Sequence, residues 1–129
     1  MKPIQVLLFT SNHELRALFR DAVAEIGAAA DVASDVGEAL ERVCGRLQQI
    51  DMALIDFQHA AHGMMLLNAV KSCRANLPVI ALIEPGEKQI QALAYATGAT
   101  QCLPKPLTKH VLTTAIHNLL HSRAYPMAA

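Results

Sequence analysis

The stretch MALIDFQHAAHG, residues 52–63, sets one aspartate at the end of a short apolar run and then turns into a loop rich in histidine and alanine. A strand that is covered on both faces of a parallel sheet has an almost continuous apolar sequence, as residues 52–55 do. A carboxylate within such a strand is costly to bury without a partner. Asp56 therefore either caps a turn or lies at the rim of a sheet, where its charge is available for chemistry.

Four further apolar runs flank this stretch: IQVLLF at 4–9, ADVA at 30–33, VIALI at 79–83 and QCL at 101–103. Between them, apolar residues recur at the helical spacing i, i+3, i+4 and i+7. Strands that alternate with helices predict right-handed crossovers and a parallel sheet. We expect an α/β fold with a doubly wound, five-stranded parallel sheet and five helices, the flavodoxin-like (βα)5 arrangement.

The helical segments have clear starts and ends. Ser11 or Asn12 is a suitable N-cap for the first helix, Gly27 a suitable end for it and Gly98 a suitable end for the fourth. The residues predicted to face the core are, helix by helix, Leu15, Leu18, Phe19, Ala22, Val23 and Ile26; Val36, Ala39, Leu40, Val43 and Leu47; Leu66, Leu67 and Val70; Ile90, Leu93 and Ala94; and Val111, Leu112, Ala115, Ile116, Leu119 and Leu120.

Size and charge restrict the class of protein. The chain has 129 residues, 53% of them hydrophobic, which suits one domain with a single core; we expect that domain over 1–123 and a frayed tail over 124–129. Eleven basic and eleven acidic residues leave no net charge, unlike proteins that bind nucleic acid or anionic membranes. No apolar stretch approaches the ~20 residues that span a bilayer. We expect a cytoplasmic protein that contacts neither nucleic acid nor membrane.

The three cysteines are Cys44, Cys73 and Cys102. They form no CxxC pair, and an odd number argues against a disulfide framework. Helical spacing places Cys44 in the core of the second helix. We expect Cys73 and Cys102 to be free thiols.

In a doubly wound sheet, the ligand crevice lies at the carboxyl ends of the strands. The side chains predicted to lie there are Thr10, Ser11 and Asn12 after the first strand, Asp56 after the third, Ile83 and Glu84 after the fourth, and Pro104 and Lys105 after the fifth. Asp56 is therefore expected at the rim, facing the loops that follow the first, fourth and fifth strands.

The order of these motifs resembles the receiver domain of two-component response regulators over essentially the whole chain. NHELRALFRDAVAEIG is similar to the family's first helix, VASDVGEAL to its second strand and helix, ALID to the strand that carries the phosphoacceptor, LPVIAL to its fourth strand and GATQCLPKPL to its Lys-Pro ending. The resemblance implies that Asp56 stands at the phosphoacceptor position and Lys105 at the position that contacts the phosphoryl oxygens. It also implies a cis bond between Lys105 and Pro106.

Several positions depart from the family's pattern. Thr10 and Ser11 stand where the family has two acidic residues that hold Mg²⁺, an ion that prefers anionic oxygen ligands. Ile83 stands where a Thr or Ser hydroxyl contacts the phosphoryl group, and Cys102 where the family has its switching aromatic residue. We therefore expect an atypical receiver that binds Mg²⁺ weakly or not at all, holds no other metal or cofactor, and has an impaired or absent phosphorylation switch.

Glu84 follows Ile83 and is predicted to face the same rim. Our hypothesis is that Asp56, Glu84 and Lys105 form an ion network that occupies the phosphorylation pocket. The alternative is that Glu84 lies in solvent at the start of the fourth helix, where acidic residues are favoured.

A fold does not by itself establish a function, but the resemblance implies one. We expect a stand-alone receiver without enzymatic activity that acts in bacterial two-component or phosphorelay signalling by protein contact. The expected partner is a histidine kinase, a downstream signalling protein or a second copy of the chain in a homodimer. The surface predicted to bind it comprises the fourth helix, fifth strand and fifth helix, with Tyr95, Cys102, His110 and His117.

Three alternatives stay open. The protein can be a conventional phosphoacceptor, phosphorylated on Asp56, with metal ligands supplied by water, Asn12 or Glu84. His13, His59 and His62 fall in loops near the rim and can build a different metal site with Asp56. A flavodoxin-like binder of a small ligand would need a glycine-rich phosphate loop after the first strand, and the TSNHE sequence there contains no glycine.

Overall fold

The computed structural model describes residues 3–45 and 49–124, without the side chains of the last two. Strands and helices alternate along the chain, as the apolar runs predict. The elements are β1 Gln5–Phe9, α1 His13–Glu25, β2 Ala29–Ala33, α2 Val36–Cys44, β3 Met52–Asp56, α3 Ala60–Cys73, β4 Val79–Ile83, α4 Lys88–Thr97, β5 Gln101–Pro104 and α5 Lys109–Ala124.

All five strands pair in parallel in one sheet, in the order β2-β1-β3-β4-β5. The chain winds first toward one edge and then toward the other, so the sequence prediction of a doubly wound, five-stranded parallel sheet is confirmed. β2 and β5 form the two edges. The order reverses between β1 and β3, and the loops after these strands are therefore where a ligand crevice is expected.

A separate apolar layer covers each face of the sheet. The helices α1 and α5 cover one face, where Phe19, Leu112 and Ile116 are fully buried. The helices α2, α3 and α4 cover the other face with residues such as Val43 and Leu67. Every residue of β3 and β4 is buried, which explains why these strands have continuous apolar sequences. The one charged residue in them, Asp56, stands at the carboxyl end of β3.

Polar side chains cap the starts of α1 and α2, and a glycine ends α4. The Asn12 side chain accepts a hydrogen bond from the Leu15 amide at 3.0 Å, so Asn12 is the N-cap of α1. Asp35 caps α2 by accepting from the Glu38 amide at 2.7 Å. Gly98 ends α4 with φ of +119°, a left-handed conformation that favours glycine.

Two residues predicted to face the core are exposed instead. Leu93 on α4 is 52% exposed and Val111 on α5 is 38% exposed. Each precedes a residue that is fully buried, Ala94 and Leu112 respectively. Successive helical residues are about 100° apart around the axis, so the residue beside a central core position turns toward solvent. Leu47, also predicted to be in the core, lies outside the described residues, as does the tail from 125 onward.

The prediction for the cysteines was wrong for two of the three. Cys44 and Cys73 form a disulfide, with their Cα atoms 6.1 Å apart. Each is the last residue of its helix, α2 and α3 respectively, and both are exposed, so Cys44 is not part of the core. The odd number of cysteines is compatible with this disulfide, because Cys102 remains as a buried free thiol.

None of the helices in the described part of the chain has the length and hydropathy that a membrane span requires.

Candidate functional site

Four chain segments meet at the carboxyl edge of the sheet. Thr10 follows β1, Asp56 ends β3, Glu84 follows β4 and Lys105 follows β5. Asp56 is 4% exposed and Thr10 1% exposed; they are the buried polar side chains of the described chain. A buried carboxylate needs hydrogen bonds and a countercharge, and the neighbouring segments supply both.

Lys105 lies between two carboxylates. Its Nζ is 2.6 Å from Asp56 Oδ1 and 2.6 Å from Glu84 Oε2. We call Asp56, Glu84 and Lys105 the ion network. Its burial is graded, because the exposed fraction of the side chain is 3% for Asp56, 18% for Lys105 and 38% for Glu84. Lys105 thus joins a buried carboxylate to one that reaches solvent.

The two carboxylates decide the protonation of Lys105. Burial alone would lower the pKa of its ammonium group, but hydrogen bonds and charge interactions with Asp56 and Glu84 outweigh burial and raise that pKa above its ordinary value. Lys105 therefore stays charged throughout the physiological pH range, and the ion network carries a net charge of −1 when both acids are ionised.

The remaining acceptor sites of Asp56 are also used. The Thr10 hydroxyl donates to Asp56 Oδ2 at 2.7 Å, and the Gln58 amide donates to Asp56 Oδ1 at 3.1 Å. Thr10 Oγ1 in turn accepts from the Asn12 amide at 3.0 Å. The sequence interpretation treated Thr10 as a lost metal ligand. It did not anticipate this donor role, although a hydroxyl at a rim position facing a carboxylate was the available signal.

The backbone around Lys105 fixes where its side chain starts. The Lys105 amide donates to the Ile83 carbonyl at 2.9 Å, which extends the pairing of β4 with β5 by one residue. The peptide bond between Lys105 and Pro106 is cis. Lys105 and Glu84 therefore leave two adjacent strands side by side, and their side chains meet over the end of β3.

Ile83 and Cys102 belong to the apolar layer and not to the polar rim. Both lie in the core cluster under α2, α3 and α4, where Ile83 is 2% and Cys102 8% exposed. Burial raises the pKa of the Cys102 thiol, although a hydrogen bond from Tyr95 acts in the opposite direction. The Cys102 amide donates to the Tyr95 hydroxyl at 3.0 Å. Neither side chain offers a strong hydrogen-bond donor near Asp56.

The family model of the response regulator receiver domain matches residues 6–117. The chain belongs to the response regulator receiver family. Receivers are signalling domains of two-component systems, and the prediction of this family from sequence motifs is confirmed. No curated protein matches the sequence significantly.

Solved receiver structures have the same fold. A response regulator receiver domain protein from Clostridium thermocellum is 24% identical, with a TM-score of 0.84 over 96% of this chain and 99% of that one. The receiver domain of NtrX from Brucella abortus is 22% identical, with a TM-score of 0.80 over 91% and 98%. A CheY-like receiver domain protein from Methanospirillum hungatei is 17% identical, with a TM-score of 0.86 over 95% and 98%. At these identities the likeness concerns the fold.

Two of the three histidines of the alternative metal site lie beside Asp56. His59 and His62 line a small cavity beside Asp56 with their ring centroids 5.9 Å apart, whereas His13 begins α1 outside that cavity. Over residues 3–45 and 49–124, no three His, Cys, Asp or Glu side chains are grouped as metal ligands.

The predicted contact surface is wrong at one residue, since Cys102 is buried and 8% exposed. Tyr95 is 45% exposed on α4, and His110 borders both β5 and α1. His117 lies in a groove with Glu25, the last residue of α1, and with Ile26, which follows it. The ring centroid of His117 is 4.0 Å from that of His121. The α5 histidines therefore extend toward α1, whereas exposed apolar side chains mark the part of the surface near α4.

Proposed function

We propose that this receiver signals by protein contact and that Mg²⁺-dependent phosphorylation of Asp56 is impaired or absent. The observation that carries the proposal is the position of Glu84, whose carboxylate lies 2.6 Å from Lys105 Nζ. Lys105 is the residue that the family resemblance assigns to the phosphoryl oxygens. In this protein the Glu84 carboxylate already forms an ion pair with Lys105.

The donor set around Asp56 is a poor fit for Mg²⁺. Asp56 Oδ1 is used by Lys105 and the Gln58 amide, and Oδ2 accepts from Thr10. At the end of β1, Thr10 and Ser11 are neutral hydroxyl residues. Mg²⁺ favours oxygen ligands in octahedral geometry and is commonly held through carboxylates. A single carboxylate with both oxygens engaged supports weak binding at most.

The rest of the phosphoryl site is also short of partners. A phosphoryl group on Asp56 would compete with Glu84 for Lys105, and like charges on the two groups would repel each other. Ile83 is buried and has no hydroxyl to donate. Losing one preorganised electrostatic partner commonly costs about 10²- to 10³-fold in rate, and this site lacks several.

Exposed apolar side chains support a contact role. Tyr95 on α4 and Val111 on α5 are both more than one-third exposed. Both border β5, because the Tyr95 hydroxyl accepts from the Cys102 amide and Val111 lines a groove with Leu103. Large apolar side chains grouped on a surface are typical of places where another protein binds. We propose that this surface, defined by Tyr95 and Val111 on either side of β5, receives a histidine kinase, a downstream signalling protein or a second copy of the chain.

The phosphorylation part is tested by intact-protein mass spectrometry with acetyl phosphate or a phosphoramidate donor, with and without Mg²⁺. We expect no added phosphoryl mass in the wild type. A Mg²⁺-dependent shift that disappears in Asp56→Asn would overturn the proposal and establish a conventional phosphoacceptor.

A gain-of-function variant makes a negative result informative. Thr10→Asp with Ser11→Asp supplies carboxylates at the end of β1, and Glu84→Gln weakens the internal competitor for Lys105. We expect the triple variant to acquire Mg²⁺-dependent labelling on Asp56. If it stays unlabelled while folded, the missing acids and Glu84 are not what silences the site.

The contact part is tested by sedimentation velocity over a range of concentrations. Tyr95→Asp and Val111→Asp place a charge on the proposed surface, and Met65→Asp, at a position 58% exposed on α3, is the matched control. Self-association that is lost in the first two variants and kept in the third supports a homodimer through this surface. A monomer at all concentrations contradicts the homodimer.

A further inference from the structure

The disulfide lies where solvent can reach it. Cys44 and Cys73 are both exposed, and each ends a helix at the edge of the sheet where β3 and β4 begin. We call this corner, formed by the ends of α2 and α3, the amino corner. Most structural disulfides resist reduction because their reduction potentials are low, whereas exposed disulfides belong to the labile class.

The amino corner has a second link that does not depend on sulfur. The Arg74 guanidinium donates to the Ile50 carbonyl at 2.7 Å and to the Val43 carbonyl at 3.5 Å. Val43, Ile50 and Val70 are each at most 2% exposed beneath it. These contacts hold α2 against α3 when the sulfur atoms are separated, so the fold can survive the opening of the bond.

The third cysteine, Cys102, is unsuited to react with the disulfide or with a reductant. Cys102 is buried on β5, under a different helix, and burial raises the pKa of its thiol, which reduces the reactive thiolate fraction. Exchange at the amino corner is therefore confined to Cys44 and Cys73 and the incoming thiol.

We propose that Cys44 and Cys73 form a thiol–disulfide exchange site that small thiol reductants open in the folded protein. A thiolate attacks one of the two sulfur atoms, the Cys44–Cys73 bond breaks, and the other cysteine leaves as a thiolate that takes a proton. A second reductant thiolate then releases the first cysteine. The protein gains two electrons and two protons, and the two reductant thiols become a disulfide.

The exchange site is separate from the ion network. Helices α2 and α3 run back from the carboxyl edge, so their ends lie at the opposite edge from Asp56. Opening the bond removes the constraint that it places on the 29-residue separation between the cysteines, which destabilises the fold by enlarging the unfolded ensemble. The contacts of Asp56 with Thr10 and Lys105 are unaffected.

The test is differential alkylation of the native protein with iodoacetamide, read by peptide mass spectrometry. Without reductant, we expect Cys44 and Cys73 to be unlabelled. After millimolar dithiothreitol without denaturant, we expect both to be labelled within minutes, Cys102 to lag behind, and the melting temperature to fall by roughly 10 °C.

Two variants serve as controls. Cys44→Ser with Cys73→Ser should melt at the lower temperature in both buffers, and Cys102→Ala should keep the response to dithiothreitol. The proposal is overturned if Cys44 and Cys73 are fully labelled without reductant, because no bond then forms. It is equally overturned if the bond opens only in denaturant, or if the melting temperature does not respond. None of these outcomes bears on phosphorylation of Asp56.

Discussion

The carboxyl edge of the sheet and the amino corner are held together in different ways. At the carboxyl edge, Asp56 depends on Lys105 and Thr10, and removing either one leaves a buried charge short of a partner. At the amino corner, a covalent bond and the Arg74 hydrogen bonds act in parallel, so either link can be lost while the other remains. The carboxyl edge is therefore intolerant of single substitutions, and the amino corner is tolerant of them.

The largest expected effect is that of Lys105→Met. It leaves Asp56 buried beside Glu84 without a cation, and breaking a buried pair from one side costs about 3 kcal/mol or more. Urea unfolding measures the loss. The matched control is Lys109→Met, because Lys109 and Glu25 are 3.9 Å apart and about half exposed, and such surface pairs contribute about 0–1 kcal/mol. Equal effects of the two substitutions would remove the contrast between the edges.

Arg74→Met tests the tolerance of the amino corner. Losing charged hydrogen bonds to two carbonyls should cost about 1.5 kcal/mol. We expect the loss, from urea midpoints, to be greater in the reduced protein than in the oxidised one, since the disulfide holds α2 and α3 together when Arg74 is absent. Identical losses in both redox states would show that the two links act independently.

Gly63→Ala tests whether the carboxyl edge also depends on close packing. A Cβ at Gly63 would lie 2.8 Å from Cγ of Phe57, the residue that follows Asp56. Overpacking should lower the free energy of unfolding by about 2 kcal/mol, and the higher helix propensity of alanine should raise it by about 1 kcal/mol. We therefore expect a net loss of about 1 kcal/mol. The control is Gly37→Ala on α2, where the nearest atom is 3.4 Å away, and it should be neutral or stabilising. A stabilised Gly63→Ala protein would contradict the close contact.

The smallest effect is the pH dependence that Lys105 contributes at the carboxyl edge. Because the pKa of Lys105 is raised in the fold, the proton on it stabilises the fold fully below the unfolded pKa of about 10.4, and this stabilisation is lost as pH rises through the folded pKa. The urea midpoint difference between wild type and Lys105→Met should therefore narrow above about pH 10.4. The corresponding difference for Arg74→Met should stay constant, as arginine keeps its charge there. Parallel curves would refute the assignment.

The sequence was sufficient to locate Asp56 and Lys105 because the rules that place them are regular. Continuous apolar runs mark buried parallel strands, and the carboxyl ends of such strands meet at one edge. The position of Glu84 directly after the fourth strand led to the hypothesis that it joins them, and the structure brings all three together. What these residues do in phosphotransfer stays a prediction.

The remaining features depend on three-dimensional contacts and side-chain orientations, which residue spacing alone does not determine. Cys44 and Cys73 are 29 residues apart, and their pairing follows from the ends of α2 and α3 lying side by side. Leu93 was misplaced because hydrophobicity alone does not decide which of two adjacent apolar residues faces inward. Thr10 was interpreted through what the family has at that position, so its own hydrogen bond to Asp56 was overlooked.

The outer edge of β5 offers little to another strand. Exposed strand edges invite aggregation because their backbone donors and acceptors remain available for pairing. In β5, which is four residues long, the Cys102 amide already donates to the Tyr95 hydroxyl, and Pro104 has no amide hydrogen. A neighbouring chain therefore finds an interrupted hydrogen-bond ladder, so the sheet stops at β5. The outer edge of β5 is therefore a poor template for the edge-to-edge strand pairing that leads to aggregation.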